Sequence, residues 1–130
     1  MPDYEMNVTF ASDSKKIHVQ RDDFTVVADG GDRTEPSPGA LFLSGLVACT
    51  ASTARGFCLR NGLPLPTGLS ATVRISEQTN LVEQVEMKLQ VPQDFPADRL
   101  PALERAAGTC TVKKYWQSPP EFVIQVSSSD

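Results

Sequence analysis

Residues 37–62 read SPGALFLSGLVACTASTARGFCLRNG and contain the start, the body and the end of one long helix. Ser37 is a favourable N-cap, and the proline that follows it fits the first helical position. Gly62 is typical of the position just beyond a helix C-terminus. A helix over Pro38–Arg60 would be about 35 Å long at about 1.5 Å per residue. Because residues 40–54 carry no charge, the pattern predicts a helix buried on nearly all sides.

Segments on both sides of this helix alternate apolar and polar residues, which is the period of a half-buried strand. Three such segments precede the helix and two follow it. The predicted strands are residues 4–10, 16–20, 24–28, 69–75 and 85–91. The short connections between them predict a three-stranded antiparallel meander before the helix and a hairpin after it.

The C-terminal part of the chain predicts two shorter helices and a last strand. Residues 97–107 have the spacing of a helix, which Gly108 ends. Thr109 can cap a second, short helix. Residues 122–126 alternate again and predict a strand. The order βββ-α-ββ-αα-β is typical of the α+β class, and we expect a single domain over residues 1–130.

Charge and composition exclude several classes of partner. The chain carries 12 Lys and Arg against 16 Asp and Glu, with a net charge of −4. No basic run is longer than a dipeptide, so we expect neither nucleic acid nor an anionic membrane surface as a partner. The uncharged part of the long helix is too short and too rich in Ser, Thr and Gly for a membrane span. The N-terminus lacks the pattern of a secretory signal, so we expect a cytosolic protein.

The sequence contains few groups suited to catalysis. His18 is its one histidine, and its expected place is the solvent face of a strand. The sequence has no CxxC, Walker or GxGxxG motif, so we expect no metal and no other cofactor. Three cysteines, Cys49, Cys58 and Cys110, are too few for a disulfide framework and should be thiols in the cytosol.

The positions of the three cysteines predict different properties. Cys110 falls in the first turn of the last predicted helix, where free amides and Lys113 or Lys114 would stabilise a thiolate. A reactive and an inert thiol are equally compatible with that position. Cys49 lies midway along the long helix, where a cysteine is usually a small inert apolar residue. Cys58 follows nine residues later, about half a turn away on the same helix.

Residues 31–51, GDRTEPSPGALFLSGLVACTA, resemble the helix-and-cysteine motif of the OsmC/Ohr family, the osmotically inducible and organic hydroperoxide resistance proteins. In that family a hydrophobic helix that begins at a proline carries a reactive cysteine in an Ala-Cys-Thr or Ala-Cys-Phe context. Residues 109–112, TCTV, followed by Lys113 and Trp116, are similar to the family's second cysteine region. The order of elements also fits, so the resemblance covers nearly the whole chain.

This resemblance implies a fold and an activity. The implied fold has antiparallel sheets packed on the long central helix, in an intertwined homodimer with two sites at the subunit interface. The implied activity is that of a thiol peroxidase, in which Cys49 attacks a small-molecule hydroperoxide and Cys110 resolves the product. A dithiol reductant then restores the two thiols.

Two features of the family's efficient hydroperoxide reductases are missing here. Those proteins place a glutamate shortly after the helix-opening proline, where this chain has Gly39 and Ala40. They also carry an arginine in the loop after the first strand, and residues 11–16 contain only lysines as basic residues. Arg33 and Glu35, in the loop that leads into the helix, are candidates for replacing this pair. The alternative is that they are two solvated loop charges.

The sequence therefore leads to two hypotheses. The first is a cytosolic peroxidase that reduces organic hydroperoxides in oxidative-stress defence, with Cys49 and Cys110 as catalytic residues. The second is a dimeric pocket protein without enzymatic activity, in which the cysteines are redox-sensitive packing residues. The contexts of the two cysteines favour the first hypothesis, and the missing glutamate and arginine favour the second.

Overall fold

The computed structural model describes residues 5–10, 12 and 14–128, and its elements follow the predicted order up to the last helix. Its strands are β1 Asn7–Phe10, β2 Ile17–Arg21, β3 Phe24–Ala28, β4 Gly68–Ile75 and β5 Val82–Gln90. Its helices are α1 Pro38–Arg60, α2 Leu100–Ala107 and α3 Thr111–Gln117. The predicted start of the first strand, Tyr4, lies outside the described residues. The α+β class and the antiparallel sheets are confirmed.

The chain divides into two compact units, with the boundary inside α1 between Gly45 and Leu46. The first unit contains the meander β1-β2-β3, whose neighbouring strands pair antiparallel. After β3 the Asp29 carboxylate accepts a hydrogen bond from the Gly31 amide at 3.1 Å, which tightens the loop. The single domain inferred from the sequence stays a prediction.

Both ends of α1 form as the sequence predicts. The Ala40 amide donates to Ser37 Oγ at 3.1 Å, which makes Ser37 the N-cap. At the other end Gly62 has a φ of +64°, a left-handed conformation that favours glycine. The Leu63 amide then donates to the Cys58 carbonyl at 2.9 Å. This bond back to the last turn ends the helix.

The second unit is built on the β4–β5 hairpin, α2, α3 and the C-terminal part of α1. Strands β4 and β5 pair antiparallel along their whole length, with one irregularity between Arg74 and Ile75. The predicted helix over residues 97–107 consists of a 3₁₀ turn, Ala97–Arg99, followed by α2. The buried core of this unit is formed by Ala54, Cys58, Phe95 and Leu103.

Helix α1 is less buried than the sequence predicts. Within the single chain it buries Leu46, Ala54 and Cys58, whereas Phe42 and Leu59 are exposed. The expectation of burial on nearly all sides is therefore wrong for the single chain, because a chain of 130 residues has too little other surface to enclose so long a helix. By length and composition alone α1 would suffice to cross a membrane, a property that core helices of water-soluble proteins share.

The predicted last strand is absent from the single chain. Within the described residues, 119–128 have no helical or strand structure. Phe122, Ile124 and Val126 are 78%, 87% and 96% exposed. A strand requires a neighbouring edge for its backbone hydrogen bonds. The alternating pattern is present, but among the described residues this segment pairs with none of the strands.

Candidate active site

Two of the three cysteines meet in the second unit. Cys49 is half-buried on α1, and Cys110 is 1% exposed directly before α3. The Cys49 side chain is a neighbour of the Cys110 sulfur and helps to lower the pKa of Cys110. All three cysteines are free thiols. The pair that the resemblance implies is therefore in contact, as thiol–disulfide exchange requires.

Cys110 is the N-cap of α3. The Lys113 amide donates to Cys110 Sγ at 3.4 Å. The prediction that Thr109 caps this helix is wrong, because the Thr109 hydroxyl donates to the Ala106 carbonyl at 2.7 Å. That carbonyl lies at the end of α2 and also accepts the Thr109 amide at 3.1 Å. The N-cap of α3 is therefore Cys110, whose side chain carries a sulfur atom.

Opposing effects act on the Cys110 thiol. Burial raises its pKa, because a charged sulfur loses hydration. Hydrogen bonds to the sulfur lower its pKa, and their donors are the amides of Lys113 and Val112 and the side chains of Cys49 and Thr50. Together these bonds outweigh burial, so the pKa of Cys110 is lowered. Cys110 therefore remains a thiolate at lower pH than an ordinary cysteine does.

Lys113 contributes to this site through its backbone. Its ammonium Nζ donates to the Gly108 carbonyl at 3.1 Å, at the end of α2. The sequence suggested that the charge of Lys113 or Lys114 would stabilise the thiolate. The lowering of the Cys110 pKa comes from hydrogen bonds, and the Lys113 amide supplies the largest of them.

Thr50 is the site residue that sequence reasoning missed. Its hydroxyl donates to the Leu46 carbonyl at 3.0 Å, and its side chain is also a hydrogen-bond partner of the Cys110 sulfur. A hydroxyl has one proton and serves one acceptor at a time. A bond to the carbonyl four residues earlier is common for a helical threonine and does not mark Thr50 as a site residue. The signal in the sequence was its position directly after Cys49.

Cys58 has a structural role. It is fully buried in the core, and burial raises the pKa of its thiol. The raised pKa keeps the thiol protonated, which makes it a poor nucleophile. Cys58 is thus separated from the Cys49–Cys110 pair in environment as well as in position on the helix.

Arg33 and Glu35 lie in the loop before α1, in the first unit. The Glu35 carboxylate pairs with Lys16 Nζ at 3.4 Å. Arg33 has a φ of +60°, and its amide donates to the Asp29 carboxylate at 2.6 Å. These interactions organise the loop, and an activating role for the two side chains stays a prediction.

An apolar cavity of about 590 Å³ lies in the second unit. Its apolar walls come from β4, β5, the residue after β5 and α2, namely Leu69, Val85, Met87, Leu89, Val91, Leu100, Leu103 and Ala107. Thr50, Glu104 and Lys113 are polar residues of its lining. Within residues 5–10, 12 and 14–128, no three His, Cys, Asp or Glu side chains are placed to hold a metal ion.

A family model described as OsmC-like protein matches residues 28–125 of this chain. The chain belongs to the OsmC-like family. The matched range contains α1, the hairpin and both short helices, and it includes the contacting cysteines Cys49 and Cys110. No curated protein matches the sequence significantly.

Solved structures of OsmC-like proteins have the same fold. An OsmC-like protein of Mycoplasma pneumoniae has a TM-score of 0.70 at 16% identity, with 91% of this chain and 89% of that chain covered. A Psychrobacter arcticus protein, named for osmotic stress induction and a detoxification response, has a TM-score of 0.66 at 17% identity over 84% and 85%. An OsmC-like hydroperoxide resistance protein of Jannaschia has a TM-score of 0.54 at 19% identity over 88% and 85%. At identities this low, the similarity shows a shared fold and no more.

Proposed function

We propose that this OsmC-like protein is a thiol peroxidase that reduces organic hydroperoxides in oxidative-stress defence. The observation that carries the proposal is the proximity of the Cys49 side chain to the Cys110 sulfur. The name of the Jannaschia structure, a hydroperoxide resistance protein, supports the same activity. We place the protein in the cytosol, without a nucleic-acid or membrane partner.

The two cysteines have different roles in this proposal. Cys49 is half-buried and accessible to a peroxide, whereas Cys110 is 1% exposed. Cys49 therefore attacks the terminal peroxide oxygen, the O–O bond breaks, and an alcohol and a Cys49 sulfenic acid form. Cys110 then attacks the Cys49 sulfur, which releases water and forms a disulfide. An external dithiol reduces the disulfide and restores both thiols.

The apolar cavity favours alkyl hydroperoxides over hydrogen peroxide. Its walls are aliphatic side chains from both strands of the hairpin and from α2. Thr50, the residue after Cys49, and Lys113, whose amide donates to Cys110 Sγ, belong to its lining, so we expect a substrate held there to reach the cysteine pair. Burial of an alkyl group contributes about 0.8 kcal/mol for each CH₂.

We expect kcat/KM to be about 10²-fold higher for cumene hydroperoxide than for hydrogen peroxide, because burial of four carbons accounts for a ratio of that size. Peroxide loss in the presence of dithiothreitol measures both rates. Val85→Asp should lower only the rate for cumene hydroperoxide, since Val85 lines the cavity. Glu86→Gln is the control, because Glu86 is exposed on the same strand. Equal rates for the two peroxides would contradict this assignment of the cavity.

A pocket protein without enzymatic activity is the second candidate function. It is favoured by the departure at Gly39 and Ala40, where the family's efficient reductases carry a glutamate, and by the pairing of Glu35 with Lys16. Such a protein would bind apolar molecules and leave peroxide concentrations unchanged. The peroxide-loss measurement therefore separates the two candidates.

We propose a homodimer as the functional form. Three alternate residues of the C-terminal segment, Phe122, Ile124 and Val126, expose apolar side chains. Helix α1 also exposes Phe42 and Leu59. Exposed apolar surface of this extent is typical of a face that a partner covers.

Light scattering at micromolar concentration should give twice the chain mass of 14.1 kDa. Serine at Phe122, Ile124 and Val126 should shift the protein to the monomer, because each change removes buried apolar surface from the interface. Serine at Gln125, the intervening polar position, is the matched control and should leave the mass unchanged. A stable folded monomer of the unmodified protein would rule out the homodimer.

A further inference from the structure

A second cavity, of about 340 Å³, shares part of its wall with the apolar cavity of about 590 Å³. We call the larger cavity the large chamber and the second cavity the small chamber. Both lie within the second unit, and each has the size of a small-molecule site. The residues that line both chambers are Thr50, Val85, Met87 and Lys113, which we call the junction.

The junction includes immediate neighbours of the two cysteines. Thr50 follows Cys49 on α1. The Lys113 amide donates to Cys110 Sγ at 3.4 Å. We therefore expect the O–O group of a bound hydroperoxide to lie at the junction. The carbon groups on either side of that O–O group can then extend into different chambers.

The small chamber has apolar walls of its own. Among the residues that the structure describes, Leu46, Val82 and Trp116 line the small chamber and not the large one. Trp116 lies three residues after Lys113 on α3, so both side chains are on one face of that helix. Leu46 is 5% exposed, whereas Trp116 is 46% exposed. A group bound in the small chamber would therefore cover apolar surface that a ligand confined to the large chamber leaves open.

An acidic side chain lines each chamber. Glu104 lines the large chamber, and Glu83 lines the small one. Lys113, at the junction, donates from Nζ to the Gly108 carbonyl at 3.1 Å. A carboxylate at the far end of a bound chain would share its chamber with a like charge, which is unfavourable. The chambers therefore favour chains with uncharged ends.

We propose that the two chambers form one binding site for secondary and tertiary hydroperoxides whose O–O group lies between two uncharged apolar arms. The longer arm occupies the large chamber and the shorter arm the small one, where Val82 and Trp116 determine the specificity. This inference deepens the proposed peroxidase function and rests on it. The terminal oxygen goes to the Cys49 sulfur, the O–O bond breaks, and the secondary or tertiary alcohol is the product.

A series of hydroperoxides with one constant arm tests the small chamber. Octan-1-yl, nonan-2-yl and decan-3-yl hydroperoxides all carry a heptyl arm, and their second arm is hydrogen, methyl or ethyl. We expect kcat/KM to rise about tenfold from hydrogen to ethyl, because burial of each carbon contributes a factor of about three to four. Peroxide loss with dithiothreitol, corrected for the reaction without protein, measures the three rates.

Val82→Asp and Leu100→Asp separate the two chambers. Val82 lines the small chamber and Leu100 the large one. Val82→Asp should reduce the ratio of the ethyl to the hydrogen rate to about 1, because the second arm would meet a charge. Leu100→Asp should lower all three rates but keep the ratio near about tenfold. Glu86→Gln, on the exposed side of β5, is the control for both.

Binding of the corresponding alcohols tests the site without the reaction. Trp116 is the one tryptophan of the sequence, so its fluorescence reports on the small chamber. Decan-3-ol should shift the emission of Trp116 and bind about tenfold more tightly than octan-1-ol in calorimetry. 8-Hydroxydecanoate, which carries a carboxylate at the end of the heptyl arm, should bind more weakly than decan-3-ol. Glu104→Gln should narrow that difference.

The outcomes distinguish this inference from the proposed function. If peroxide is consumed but neither rate nor affinity depends on the second arm, the peroxidase stands and the inference is wrong. If the alcohols bind as expected but no peroxide is consumed, the proposed function fails and the two-chamber site belongs to a pocket protein. A tenfold ratio that persists in folded Val82→Asp, or tight binding of 8-hydroxydecanoate, would also overturn the inference. If Val82→Asp does not fold, the series and the Trp116 emission of the unmodified protein decide.

Discussion

Cys49→Ser should reduce the consumption of alkyl hydroperoxides to the uncatalysed rate, a loss of at least about 10³-fold in kcat/KM. A serine hydroxyl does not ionise near neutral pH, and its oxygen cannot take up the peroxide oxygen as sulfur does. Cys110 cannot substitute for the lost sulfur, because it is 1% exposed. Peroxide loss with dithiothreitol as reductant measures the effect.

The control for this experiment is Cys58→Ala. Cys58 is fully buried beside Ala54 and Leu103, and burial raises the pKa of its thiol. Alanine avoids placing an unpaired hydroxyl in that core. The control should retain the activity of the unmodified protein. Activity of Cys49→Ser within tenfold of the control would mean that the catalytic assignment is wrong.

Mild oxidation should join Cys49 and Cys110 of the same chain nearly quantitatively. The two side chains are already neighbours, so a sulfenic acid on Cys49 meets the Cys110 thiolate before a second peroxide arrives. In Cys110→Ser the sulfenic acid has no such partner, and further peroxide should convert Cys49 to the sulfinic and sulfonic acids.

Peptide mapping by mass spectrometry under non-reducing conditions distinguishes these products. Cys58→Ala should give the same Cys49–Cys110 peptide as the unmodified protein, because Cys58 lies in the core away from the pair. A Cys49–Cys58 linkage, or an unmodified Cys49 after oxidant treatment, would overturn the site described here.

The elements that local pattern determines could be predicted from the sequence. Ser37 and Gly62 mark the two ends of α1 because capping depends on residues within one turn. The strands up to β5 follow from alternation alone. The strand expected over residues 122–126 and the full burial of α1 could not be settled in this way, since both depend on what surface lies opposite them.

The proximity of Cys49 and Cys110 could be predicted, but the hydrogen bonds around them could not, and the catalytic roles of the two cysteines stay a prediction. Cys49 and Cys110 stand in recognisable contexts, and their contact follows from the fold. The N-cap is Cys110 and not Thr109 because the Thr109 hydroxyl donates to the Ala106 carbonyl. Thr50 could not be separated by pattern from any other helical threonine, because its bond to the Leu46 carbonyl is the common one.

The cap of α3 also bears on the reduction potential of the cysteine pair. The Lys113 amide donates to Cys110 Sγ, and a thiolate is a stronger acceptor than a neutral disulfide sulfur. Whatever stabilises the thiolate stabilises the reduced pair, and a dithiol whose reduced form is stabilised is a strong oxidant once its disulfide forms. The amide at the start of the seven-residue helix α3 would therefore raise the reduction potential of the cysteine pair. Even a weakly reducing dithiol donor would then suffice to return the protein to its resting state.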